Sequence, residues 1–166
     1  MAAEFSQRYL DIRKQVRACL RGTFGHQINI DDVTDAVMEK VFQRWGTIDE
    51  PVRWAVTAAK HLAVDELRRA TLESLSSVLA REVEGYGNTD QHLKLVAIME
   101  ALQRLPLSQQ KVMTLLLLGY EEREIPNILP LSINSVYHYV SDARKRLEKI
   151  LRYSQRQAKK NRTPTH

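Results

Sequence analysis

Cysteine is almost missing from this chain of 166 residues: Cys19 stands alone, so no disulfide can close within it. Its place at an apolar spacing in a helical stretch suits packing better than reactivity. Six glycines and five prolines are too few for a loop-rich or disordered chain. Apolar runs are short, and one such as "TLLLLGY" falls far below the roughly 20 residues a membrane helix needs. The opening "MAAEFSQRYLDIRKQ" lacks a charged start followed by an apolar core, so no signal peptide is expected. These absences predict a cytoplasmic protein.

The signatures of catalysis are missing too. There is no glycine-rich phosphate loop, no cysteine pair at metal-binding spacing and no His-Glu-x-x-His. His26, His61, His92, His138 and His166 share no ligand spacing. Asp31, Asp32 and Asp35 are better read as helix-start residues than as a cation site, because aspartate favours a helix N-terminus. The expectation is a binding protein with no catalytic residue, no metal and no cofactor.

What is present is helix and positive charge. Lysine and arginine outnumber aspartate and glutamate by 25 to 20, a formal charge of +5 that favours an acidic partner such as nucleic acid. The surplus is concentrated: between Arg144 and Arg162 the chain carries Arg144, Lys145, Arg146, Lys149, Arg152, Arg156, Lys159, Lys160 and Arg162 against the single acid Glu148. By itself such a run is either a solvated helix face or a phosphate-facing surface.

Apolar residues recur at three- and four-residue steps. Phe5, Tyr9, Ile12, Val16 and Cys19 predict a first helix ending near Gly22. Val33, Val37, Val41 and Trp45 predict a second, capped by Asp31 or Asp32 and stopped at Gly46. Pro51 suits the first turn of a third, which presents Trp54, Ala55, Ala58 and Leu62 and ends at Arg68 and Arg69. Trp54 among alanines is expected to be core. From Thr71 the pattern weakens, and "GYGNTD" reads as a turn.

Periodicity returns with Leu95, Met99 and Leu102 in a helix stopped by Pro106. Ser108 is expected to cap the next, which contains Val112, Leu115 and Leu116 and closes at Gly119. After "EEREIPNIL" and Pro130, Ser132 opens a long helix with the stripe Val136, Val140, Ala143 and Leu147. A short helix, a turn and a longer basic helix is the layout of a helix-turn-helix. The fold class is therefore all-α, two small helical domains joined by a linker.

Two stretches in the correct order resemble the extracytoplasmic-function group of the sigma-70 family. "DVTDAVMEKVFQRW" is similar to the acidic helix of the family's region 2 through Asp32, Asp35, Glu39 and Trp45, with Met38 where Gln is usual and Val41 where Phe is. Pro51, Trp54, Ala59, Asp65, Arg68 and Arg69 continue the likeness, with His61 in place of the usual Asn. In region 4, Ala101, Leu102, Leu105 and Pro106 resemble the opening motif; Glu124, Ile125, Ser132, Val136, Ala143, Arg144 and Leu147 resemble the helix-turn-helix, with Ser135 for Thr. Pro126 stands where a small Ala is usual and should kink or shorten the first helix of that pair. Pro130 replaces the turn Gly, and Tyr137-His138-Tyr139 stands where Lys-Ser-Arg is common.

The resemblance implies region 2 in residues 1–70, a linker in 71–93, region 4 in 94–152 and a basic polar tail in 153–166. It implies a transcription initiation factor that binds core RNA polymerase through Asp32, Asp35 and Glu39, on the clamp helices of the largest subunit, with the flap of the second-largest subunit as a further contact. Lys60, His61, Arg68 and Arg69 would meet the melted −10 element of promoter DNA. Ser132, Asn134, Ser135, Tyr137, His138, Arg144 and Lys145 would meet the −35 duplex, since the start of a recognition helix enters the major groove. An anti-sigma factor is a further partner in such a family. Two other readings stay open: a helix-turn-helix regulator acting without polymerase, and a sigma mimic that binds an anti-sigma protein.

Overall fold

The computed structural model describes residues 2–85 and 90–161, and among these residues it is helical without a strand. Helix α1 spans Ala2–Phe24, α2 Ile30–Gln43, α3 Pro51–Gly85, α4 Asp90–Gln103, α5 Leu107–Leu117, α6 Ile125–Ile128 and α7 Ile133–Asn161. A 3-10 turn, Trp45–Thr47, follows α2. The chain divides into two compact units, one of Met1–Leu67 with Pro126–Leu131 and one of Arg68–Ile125 with Ser132–His166.

In the first unit α1 packs on α2. Ile12, Val16, Leu20 and Phe24 are buried along α1, and Val33, Val37, Met38 and Val41 along α2. Ile12 and Val16, and Val33, Val37 and Val41, stand on the predicted stripes, because a 3.6-residue repeat places every third or fourth side chain on one face. Tyr9 and Cys19 are only half-buried, and Leu20, Phe24 and Met38 complete the buried faces. Gly25 ends α1 three residues beyond the expected stop at Gly22. Its φ of 58° is a left-handed conformation that strains other residues, and its N–H donates to the Arg21 carbonyl.

The cap of α2 is Asn29, not Asp31 or Asp32. Its side-chain oxygen accepts from the N–H groups of Asp31 and Asp32 at 3.2 and 3.3 Å. The aspartates fall inside the first turn, where their charge still complements the helix dipole. At the other end α2 stops at Gln43, ahead of Gly46, and Trp45 enters the 3-10 turn. Glu66 of α3 accepts from the Asn29 N–H at 3.2 Å, tying α3 to the same corner.

Helix α3 departs furthest from expectation. It does not end at Arg68 and Arg69 but runs on to Gly85. Cations favour a helix C-terminus without terminating one, and from Thr71 to Glu84 no Gly or Pro breaks the helix. Its buried stripe is Ala55, Ala59, Ala63 and Leu67, with Val64, while Trp54, Ala58 and Leu62 are half-buried. The predicted turn "GYGNTD" begins at the last residue of α3 and ends at the first of α4; its four central residues lie outside the described residues.

In the second unit α7 packs on both α4 and α5. Leu102, Leu105 and Ala143 form a buried cluster against which Leu75, Met113 and Leu147 pack. Pro106, not Ser108, precedes the first residue of α5 as its cap. The α4–α5 corner is held by Gln110, whose amide donates to the carbonyls of Gln103 and Leu105 at 2.9 and 2.8 Å and accepts from Arg68 at 3.2 Å. These are carbonyls a helix end leaves without intrahelical partners. Gly119, with φ of 93°, closes α5 as expected.

Replacing Asn29 by Ala should lower stability to denaturant by about 1 kcal/mol, with Asn29→Asp retaining most of it. Leu115, fully buried on α5, should cost about 2–5 kcal/mol as Ala.

A helix-turn-helix and an acidic helix

Helix α6 is a single turn. Pro126 is its second residue, where the missing N–H would have no intrahelical acceptor, so the proline is accommodated by shortening the helix as expected. Pro130 follows two residues after its end. Ser132 caps α7: the Ser135 N–H donates to its hydroxyl oxygen at 3.1 Å, and the two hydroxyls lie 2.8 Å apart. Val136, Val140 and Ala143 are buried on one side of α7, which turns the opposite side outward.

The seven residues expected to contact the −35 duplex fall into three groups. Ser132 and Ser135 are engaged in the cap. Asn134, Tyr137 and His138 are exposed on the first turns, Tyr137 by 50%, and His138 lies 3.6 Å from Asp142. Arg144 stands 3.9 Å from Glu122, and Lys145 lines a groove with Arg104, the residue after α4. The outward face of the first turns is thus polar and free of lysine and arginine, suited to base edges, and the cations come later.

Residues 95–147 match the family model described as sigma-70, region 4. That segment resembles sigma-70 region 4. The matched segment takes in most of α4, all of α5 and α6 and the first half of α7. No curated protein and no solved structure matches the chain. No described helix is long and apolar enough to cross a membrane.

In the first unit the acids of α2 are divided in their use. Asp35 is bonded to Arg13 of α1 and Asp31 to Arg17. The Asp35 hydrogen bond holds the Arg13 guanidinium above its usual arginine range. Asp32 accepts from the Asn29 amide at 2.7 Å. Glu39 accepts from Gln43 of its own helix at 3.2 Å and remains exposed. Beside it Phe42 is 59% exposed, while Val41, expected at the family's aromatic position, is buried. Asp35, Glu39 and Phe42 recur at steps of four and three, so they share one face. Phe42 was legible as an aromatic lying off the apolar stripe.

The four residues expected at the −10 element all stand on α3, two in each unit. Lys60 and His61 are half-buried in the first unit, where Lys60 donates to the Asn127 carbonyl. Arg68 belongs to the second unit and is bonded to Gln110; Arg69 is exposed. The first unit also holds a shallow cleft of about 610 Å³ whose lining includes Arg44, Thr47, Asp49, Glu50, Arg53 and Trp54, with Arg53 donating to Glu50 at 3.2 Å. The Arg44 guanidinium lies over the Trp54 ring, 5.8 Å from its centroid. Trp54 is therefore a wall of a cleft, not core. Period alone hid this, since Trp54 sits one step from the alanine stripe.

Ser132→Ala should cost about 1 kcal/mol in denaturant unfolding, the value of a helix cap, whereas Asn134→Ala, exposed in the next turn, should change stability by less than about 0.5 kcal/mol. Equal effects would show that Ser132 is no cap.

Proposed function

We propose that this chain is an RNA polymerase sigma factor of the extracytoplasmic-function group, with region 2 in residues 1–70 and region 4 in residues 94–152. The observation that carries the reading is the pairing of a region 4 domain with the exposed acidic-aromatic face of α2. A helix-turn-helix regulator has no use for that face. A sigma factor does, because it must dock on core polymerase before it reads DNA. Glu39 and Phe42 would make that contact, with Asp35 held in place by Arg13. Its surface would be the clamp helices of the largest subunit.

Promoter opening needs no nucleotide hydrolysis in this reading. Unstacking a base costs a few kcal/mol, which the protein must offset. The cleft beside Trp54 supports that role: an aromatic face can stack an extruded base, and Arg44 and Arg53 can meet phosphate. Lys60 and His61 lie one to two turns further along α3. Region 4 would meanwhile hold the −35 duplex through Asn134, Tyr137 and His138. The Tyr-His-Tyr run, without lysine or arginine, makes this contact depend on hydrogen bonding and ring packing more than on fixed charge.

Run-off transcription with core polymerase and genomic promoter fragments tests the whole reading. Initiation that requires this chain is expected; duplex binding without core binding would establish the regulator instead, and core-independent capture of an anti-sigma protein without DNA binding would establish a mimic. Glu39→Lys should weaken core binding while leaving DNA binding unchanged. Trp54→Ala should lower affinity for a single-stranded −10 oligonucleotide by the about 1–3 kcal/mol typical of one stacked base, measured by fluorescence anisotropy with holoenzyme.

A further inference from the structure

We infer that α7 is a DNA-tracking helix whose cationic C-terminal half, beyond the region 4 match, contacts the duplex backbone flanking the bases read by its first turns. The inference rests on the reading of α7 as the recognition helix and extends it to residues that the region 4 match, ending at 147, does not include.

The argument is one of register. At 3.6 residues per turn, Asn134, His138 and Ser141 line up with Lys145, Lys149, Arg152 and Arg156 inside an arc of about 80°. All seven are exposed. Val136, Val140 and Ala143 lie roughly half a turn away and are buried. A single outward face therefore runs along α7, polar and without lysine or arginine at its start and carrying one lysine or arginine per turn afterwards. A solvated helix has no need of that order, since its charges could occupy any exposed position.

Distance gives the order a meaning. At 1.5 Å per residue, Lys145 stands about 16 Å and Arg156 about 33 Å along the axis from Asn134. The major groove is about 12 Å wide, so a straight helix with its first turns among the bases carries the later ones past the groove wall. There the duplex presents a charge about every 1.7 Å along its axis. Arg104, the residue after α4, lines the same groove of about 580 Å³ as Lys145, Lys149, Arg152 and Arg156. Glu148, the acid lining that groove, is engaged by Arg152. Charge complementarity thus selects a polyanion, and continuity with the base-facing turns selects duplex DNA.

The test is the salt dependence of full-chain binding to a random-sequence duplex. Each phosphate contact contributes about 0.9 to the slope of log affinity against log salt, so Lys149→Gln with Arg152→Gln and Arg156→Gln should flatten it by about 2.7. The charge-retaining triple Lys149→Arg, Arg152→Lys, Arg156→Lys should keep the slope, as should Lys14→Gln, an exposed cation on α1. Circular dichroism verifies that the helix persists. An unchanged slope in the glutamine triple overturns the inference, and so does an unchanged slope accompanied by loss of core polymerase binding, which would assign the stripe to a protein. Failure of the sigma-factor reading would register separately, as absent initiation with the flattened slope intact.

Discussion

The burial of Val136, Val140 and Ala143 against α4 and α5 is the constraint on which the DNA-binding half depends. A helix with one apolar stripe can turn only one face to water, so fixing that stripe fixes which side chains face outward. Asn134, Tyr137 and His138 point outward for that reason, and the cations of the later turns follow the same register. Ser132 starts the helix at a defined residue by satisfying the Ser135 N–H, which sets the phase of everything after it. The short α6 matters less for what it reads than for bringing the chain to that starting point.

A similar logic governs the first unit, with charge in place of a reading face. The stripe of α2 faces the core, which leaves its acids on the outer side. Two of the four are drawn to arginines of α1 and one to the Asn29 cap. These are exposed pairs, whose contribution to stability is small. Their consequence is positional: Asp31 and Asp35 are oriented toward α1, whereas Glu39 and Phe42 are exposed further along the helix. An exposed aromatic beside a carboxylate is a reasonable docking element, because the ring supplies area and the charge supplies direction.

The long α3 combines two roles. Its alanine stripe belongs to the first unit, and Arg68, Thr71, Leu72 and Leu75 belong to the second. Arg68, expected at DNA from its place in the motif, also donates to Gln110 at the α4–α5 corner. Motif position records which residue type stands at a step along the chain; it does not record which neighbour reaches that side chain first. The cleft at Trp54 illustrates the converse. Arg44, Thr47 and Arg53 come from a helix end, a 3-10 turn and the start of α3, and they converge only when the chain turns at residues 45–50.

Sequence by itself determined the helical class, the phase of the stripes in α1, α2, α5 and α7, the helix-turn-helix layout and the effect of Pro126. Each is local, set by spacing within about four residues or by the fixed φ of a proline. The order of polar and cationic residues along α7 was equally present in the chain, though its single face becomes visible only once the helix is known to run unbroken to Asn161. Tertiary structure decided the remainder: that α3 continues to Gly85, that Asn29 caps α2, that Trp54 walls a cleft, and that Arg68 is engaged within the protein. Those outcomes depend on competition among residues distant in sequence for the same hydrogen bonds and the same buried space, and no period along the chain encodes who wins.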